Sequence, residues 1–239
     1  MPADPRATAA LTAAAGLGPF FATTGTAAAG WTTWADLVGR PEVLRGRLEH
    51  VRAALAAGPG RVEVPLRVAA SIAHLGLVAR LVSPPLGAGL ATGTLPVAGA
   101  GDVRLRLVGA NPLPLSIAAP EAVPVPAPAA LAEAFGRHWI TPLVAPLTAA
   151  VGDLGGVPEQ VLAGNVTSAV AGALRMAAAA RPALAATAEA ALDELLRRGP
   201  LAGTGRRRDD GSFVRRSCCL LYRLPGAGTC GDCVLDDPA

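Results

Sequence analysis

Residues 158–199 read PEQVLAGNVTSAVAGALRMAAAARPALAATAEAALDELLRRG, and this run decides the fold class. Pro158-Glu159-Gln160 suits a helix start, and Leu162, Val166, Ala169 and Ala173 then recur on one face at helical spacing. Pro182 permits a second helix, with Leu184, Ala188, Ala191 and Leu195 facing inward. Arg197 and Arg198 fall where a helix dipole favours cations, and Gly199-Pro200 closes the element. Small Ala and Gly side chains let such helices approach closely, which offsets an aromatic content of only 3%.

Toward the N-terminus the helical pattern continues over 129–141, with Leu131, Phe135 and Trp139, and is expected to break at Pro142 and Pro146. The stretch from Pro120 to Pro128 carries four prolines and reads as an extended connector. Before it, Val103, Leu105 and Leu107 alternate with Arg104 and Arg106, the mark of a half-exposed strand. Leu113, Leu115 and Ile117 repeat the alternation after Gly109-Ala110-Asn111-Pro112, so a hairpin is expected, with Pro114 keeping its second strand at an edge. Residues 42–57 predict a helix through Leu44, Leu48, Val51 and Leu55, opened by Pro41 and stopped by Gly58-Pro59-Gly60. Val68, Ile72, Leu75, Ala79 and Val82 predict another, ended by Ser83-Pro84-Pro85.

The fold expected is α+β, helix-dominated, with a small antiparallel sheet and a C-terminal cysteine-rich module. Its divisions are a helical and hairpin half at 1–119, the proline-rich connector at 120–128, a helical half at 129–205 and the module at 206–239. A flexible run from Gly203 to Gly211 leads into that module.

Composition narrows the function. All 21 cations are Arg, and against 18 acids they leave a net charge of +3 with the signs interspersed, so no nucleic-acid partner is expected. The mean hydropathy of +0.42 owes much to Ala. Arg67, His74 and Arg80 divide one apolar stretch, and Pro142 and Pro146 another, so no membrane span is expected. The opening MPADPRATAALTAAAGLGPFF lacks a basic start and a compact apolar run, which points to the cytoplasm. Thiols stay reduced there, and clustered cysteines read as metal or redox sites. No P-loop, G-x-G-x-x-G after a strand, or G-x-S-x-G elbow is present.

All four cysteines lie in the last 22 residues, as Cys218-Cys219, ten intervening residues, then Cys230-Gly231-Asp232-Cys233. Four thiolates suit a [2Fe–2S] centre or a structural zinc, and a redox dithiol is a further reading. Only Cys230 and Cys233 form a zinc-type knuckle. Adjacent cysteines diverge in an extended chain, so the backbone must bend for both to serve one centre. A two-iron rhomb is wider than one zinc ion and tolerates that divergence better, so [2Fe–2S] is the favoured reading. Arg215, Arg216 and Arg223 flank the ligands and are candidates for stabilising the negative charge of such a centre. Trp31, Trp34 and Trp139, with His138, read as core packing before a ligand wall. His50 and His74 read as surface or satisfied core residues, and Asn165 as a cap or cross-helix bond.

The ending RRSCCLLYRLPGAGTCGDCVL resembles that of the FhuF-type ferric-siderophore reductases, and GNVTSAVAGALR at 164–175 and ARLVSPPLGAGLATGTLP at 79–96 resemble upstream family segments. Ala163 stands where a bulky aromatic would be expected before Gly164-Asn165. The resemblance implies a [2Fe–2S] cluster on Cys218, Cys219, Cys230 and Cys233, and one-electron reduction of Fe(III)-siderophores of hydroxamate type with release of Fe(II). The lack of a nucleotide-binding motif calls for a separate electron donor, such as a ferredoxin-like or flavin reductase protein, and transient contact with a siderophore importer at the inner face of the membrane is left open, without a sequence signature of its own. An iron–sulfur carrier or sensor without a siderophore site is the alternative, and a zinc-stabilised interaction protein the third reading.

Overall fold

Asp4 opens the first helix, α1 (Pro5–Ala15): its carboxylate accepts the Arg6 backbone N–H at 2.8 Å, and Pro5 occupies the first turn. The computed structural model describes residues 3–25, 29–57 and 63–236, so the Gly58-Pro59-Gly60 stop lies outside the described residues. A two-residue strand β1 (Thr32–Thr33) leads into α2 (Trp34–Gly39), α3 (Pro41–Ala56) and the long α4 (Leu66–Thr92). Four short strands follow: β2 (Thr94–Val97), β3 (Val103–Leu105), β4 (Leu115–Ile117) and β5 (Glu121–Pro124). Then come α5 (Pro128–Phe135), a π-helical stretch (Gly136–Val144), α6 (Ala145–Gly155), α7 (Glu159–Ala180) and α8 (Ala185–Arg197). A last hairpin, β6 (Gly205–Arg207) and β7 (Phe213–Arg215), precedes the cysteines.

The fold is α+β and helix-dominated, with its strands in small antiparallel sheets. The expected hairpin forms as β3 against β4, Val103 opposite Ile117, and β4 is an edge strand as Pro114 requires. Residues 121–124 of the proline-rich stretch pair with β2, Leu95 opposite Val123. Helix α4 is the centre of the packing, in contact with α1, α3, α6 and α7. The Leu162, Val166, Ala169 and Ala173 face of α7 is buried as the periodicity requires.

Two expected helix ends are corrected. Helix α4 does not stop at Ser83-Pro84-Pro85 but continues to Thr92. The prolines remove the N–H groups that would bond the Arg80 and Leu81 carbonyls. Packing outweighs that loss: every residue from Ser83 to Leu90 is buried, and Ser83 Oγ donates to the Ala79 carbonyl at 2.7 Å. Gly87 contributes by leaving room for the Phe21 ring directly against the helix backbone. Pro142 likewise fails to break the chain's helical course. A wider π turn absorbs it and keeps Trp139, Ile140, Leu143 and Val144 buried, and Pro146 falls harmlessly in the first turn of α6.

Helices α4 and α7 have the length and hydropathy that a membrane span would need. Each has 67% of its apolar window buried within the fold, which accounts for the hydropathy by core packing. Arg80 shows how a charge is accommodated there. Its guanidinium donates to the carbonyls of Leu113 at 2.5 Å, Phe20 at 2.8 Å and Ala22 at 2.5 Å, tying the N-terminal segment and the hairpin to α4. Burial lowers its pKa to about 10, which leaves it charged at neutral pH.

Candidate metal centre

The run into the cysteines is ordered rather than flexible, a further correction. Strand β6 pairs with β7, Arg206 opposite Val214, and the turn closes with Asp210 accepting the Ser212 N–H at 2.8 Å. Gly211 takes the left-handed conformation at φ +81° that this turn requires. Arg207 pins the hairpin to α8 through Asp193 Oδ1 at 2.7 Å.

After β7 the backbone bends at Arg216 and Ser217, and Leu220 is left-handed at φ 69°. The turns thus flank Cys218-Cys219 on both sides rather than falling between the two cysteines. The Leu220 N–H points back to Cys218 Sγ at 3.4 Å, and the knuckle turns on the Cys233 N–H bonded to the Cys230 carbonyl at 2.9 Å. The four sulfurs meet as two pairs. Cys219 Sγ lies 3.5 Å from Cys230 Sγ, and Cys218 Sγ lies 3.9 Å from Cys233 Sγ. Each pair takes one sulfur from the vicinal dipeptide and one from the knuckle. Cys219 and Cys233 are buried, while Cys218 and Cys230 are partly exposed.

A single zinc ion needs its ligands to converge on one point. Two sulfur pairs suit a centre of two irons, in which Cys219 with Cys230 would hold one and Cys218 with Cys233 the other. The surroundings fit as well. Ser217 Oγ and Arg215 Nε are buried without a partner just ahead of the cysteines, and both can donate to sulfur.

Arg215 is the hub of the site. Its side chain is fully buried, and it donates to Cys230 Sγ, to Asp232 Oδ1 at 3.0 Å and to Asn165 Oδ1 at 3.1 Å. Asn165 passes the connection to α4, donating through Nδ2 to the Ser71 carbonyl at 3.0 Å and to Ser71 Oγ at 2.9 Å. Ser71 Oγ in turn donates to the Cys219 carbonyl at 2.8 Å. The chain Cys230–Arg215–Asn165–Ser71–Cys219 thus fastens both halves of the cysteine set to the two central helices. Asn165 is therefore a cross-helix bond, as its sequence context suggested.

Gly164 explains the other half of that dipeptide. A Cβ there would collide with Ser217 Oγ, so glycine lets the tail lie this close on α7 with Ser217 in its observed position. The electrostatics follow from the contacts. The hydrogen bond from Cys230, assisted by the Arg215 charge, lowers Cys219 to about 6, whereas donating that bond and burial raise Cys230. Burial raises Cys218 to about 11. Burial works against the Arg215 charge, but Asp232, Cys219 and Cys230 outweigh it and raise its pKa.

Of the three flanking arginines, the structure brings only Arg215 onto a cysteine. Arg216 is exposed, with its backbone N–H on the Thr204 carbonyl at 2.9 Å. Arg223 is exposed, its guanidinium 5.8 Å from the Tyr222 ring centroid. The tryptophans and histidines lie elsewhere. Trp34 and Trp139 are core residues, donating through Nε1 to the Leu143 and Pro96 carbonyls at 2.9 Å each. His74 is buried between α4 and α6 against Thr148 at 3.0 Å. Ser71, Gly164 and Asp232 were missed by the sequence reading. Asp232 had a visible signal in its place inside the knuckle; Ser71, 148 residues from its partner Cys219, had none.

Residues 215–235 match the family model of the FhuF 2Fe-2S C-terminal domain. This bears out the resemblance for the cysteine tail, and the domain implies a [2Fe–2S] cluster. The segments at 79–96 and 164–175 lie outside the matched residues. Comparison with curated proteins gives no match.

Proposed function

We propose that this protein is a ferric-siderophore reductase working in the cytoplasm, accepting one electron at a time from a separate ferredoxin-like or flavin reductase protein and delivering it to a ferric chelate of hydroxamate type. The bound [2Fe–2S] group supplies one-electron chemistry. The observation that carries the reading is the sulfur arrangement: two thiol pairs, each with one partly exposed member, on a FhuF-type domain. Hard oxygen chelators hold Fe(III) far more strongly than Fe(II), so one electron loosens a metal that ligand competition would not.

The chain's own residues have three tasks. The four cysteines hold the group, Arg215 places a buried positive charge beside Cys230 to offset its negative charge, and the Asn165–Ser71 link fixes the tail on the helical body. A helical body many times larger than the 21 matched residues supports a substrate-handling role over a bare carrier. The test is direct. Anaerobically reduced holoprotein, mixed with a ferric tris-hydroxamate and a strong Fe(II) trap, should be reoxidised with trapped Fe(II) appearing. The iron-free chelator should leave it reduced. If no ferric chelate reoxidises the protein faster than it does an unrelated small [2Fe–2S] protein of similar potential, the carrier or sensor reading replaces this one.

A further inference from the structure

One cavity borders the cysteine set. It lies between α7, α8 and the β6–β7 hairpin, encloses about 380 Å³, and has Cys230, Gly231 and Asp232 in its wall. That volume falls in the range of small-molecule sites. We propose that this groove is where the ferric chelate docks, a proposal that rests on the reductase reading above and adds the location of its substrate site.

Three observations carry it. First, an electron acceptor must approach a ligand sulfur closely, and Cys230 is partly exposed on this groove while its pair partner Cys219 is buried. Cys230 is also the cysteine that receives the Arg215 hydrogen bond. Second, the charged lining is balanced: Arg175 and Arg207 against Glu189 and Asp232. A ferric ion with three singly charged hydroxamates is neutral overall, whereas a ferric tris-catecholate carries three negative charges, so a wall without net charge suits the former. Third, the wall is built rather than collapsed. Arg207 is held by Asp193 Oδ1 at 2.7 Å, the Gly211 carbonyl at 2.8 Å and the Glu189 carbonyl at 3.1 Å. Gly172 lines the groove, and a Cβ at that position would meet open space. In the step itself one electron passes from the reduced protein to the chelate, Fe(III) becoming Fe(II), and no bond to the protein forms.

Gly172 makes the test clean. Gly172→Phe projects a ring from a position inside α7 where a Cβ meets open space, and Gly172 itself makes no bond to a cysteine. Gly172→Leu is a milder plug, and Gly46→Phe on α3, equally open and outside the groove, is the control. Each holoprotein is titrated calorimetrically with the gallium(III) complex of a linear tris-hydroxamate, which cannot accept an electron, and then mixed reduced with the ferric complex. The groove plugs should bind the gallium complex at least about tenfold more weakly, equivalent to about 1.4 kcal/mol, and be reoxidised correspondingly more slowly. Their iron and sulfide content, visible spectrum and oxidation by ferricyanide should match those of wild type. If both plugged variants bind and react like the unaltered protein, the groove assignment is overturned while the reductase reading stands. If the unaltered protein neither binds the gallium complex nor reacts with the ferric one, both fall. A ferric tris-catecholate taken up more tightly than the tris-hydroxamate would overturn the charge argument.

Discussion

The helical body and the cysteine tail are held by different physics. In the body, α4 and α7 bury aliphatic side chains along their length, and even a charged residue such as Arg80 is absorbed by three backbone carbonyls. From Gly205 to Asp236 the buried residues are few: Gly205, Val214, Arg215, Cys219, Leu220 and Cys233. A segment with so little apolar burial cannot offset its own ordering entropy by hydrophobic contacts. Its order rests on the Arg215–Asn165–Ser71 network, the hairpin and whatever joins four thiols. The body is ordered by its apolar core and the tail by polar contacts to that body.

The sharpest break of that comparison is at a ligand. Cys219→Ser should lose the cluster, with the visible absorption, iron and acid-labile sulfide gone, because an alcohol is a far poorer iron ligand than a thiolate. Far-UV circular dichroism should stay close to wild type, and limited proteolysis should cut first between residues 216 and 236. Loss of helicity along with the cluster would show that the body depends on the tail.

The converse break is Trp139→Ala. It removes a buried indole and its hydrogen bond to Pro96, and should cost about 3–5 kcal/mol in denaturant unfolding of the helical signal. The as-isolated variant, still folded at low temperature, should keep its iron and its spectrum.

A pH test comes next in size. Thr148 Oγ1 donates to the Val144 carbonyl at 2.9 Å, so it accepts from His74 Nε2–H, and His74 Nδ1 is left buried without a partner. Burial lowers the His74 pKa from 6.5 to about 3. The unfolded chain then binds the proton that the folded one refuses. Stability is full above about pH 6.5 and falls as the pH drops toward 3, the loss reaching about 3 kcal/mol near pH 4. Chemical denaturation of His74→Gln across that window should show a shallower slope than wild type; an equal slope would assign the acid sensitivity to other groups.

The smallest expected effect is in the tail's own electrostatics. Arg215→Gln removes the buried charge beside Cys230 and should lower the reduction potential by roughly 60–120 mV, the equivalent of one charged hydrogen bond. Asn165→Ala, which leaves Arg215 in place, should move it less. A spectroelectrochemical titration giving equal potentials for all three proteins would remove Arg215 from the tuning role.

Legibility in the sequence follows the same division. The Leu162, Val166, Ala169 and Ala173 face of α7 and the Val103–Ile117 hairpin were readable because their burial follows a local period. Ser83-Pro84-Pro85 and Pro142 misled because proline's local cost is visible in sequence and the packing that outweighs it is not. The Gly203–Gly211 run looked flexible since glycines and like charges read as loop, yet Arg207 reaches Asp193 on another element.

What the sequence determined by itself is the donor chemistry: four thiols at spacings too irregular for paired zinc knuckles, on a helix-dominated α+β chain. Which sulfur pairs with which, the choice of Arg215 over Arg216 and Arg223, and the opening of a groove beside Cys230 were decided only in three dimensions. The reason is the length of the connections involved. A periodicity or a cysteine spacing is a property of neighbours, whereas the bonds from Arg215 to Asn165 and from Ser71 to Cys219 span 50 and 148 residues, and only the packing of α4 against α7 brings their ends together.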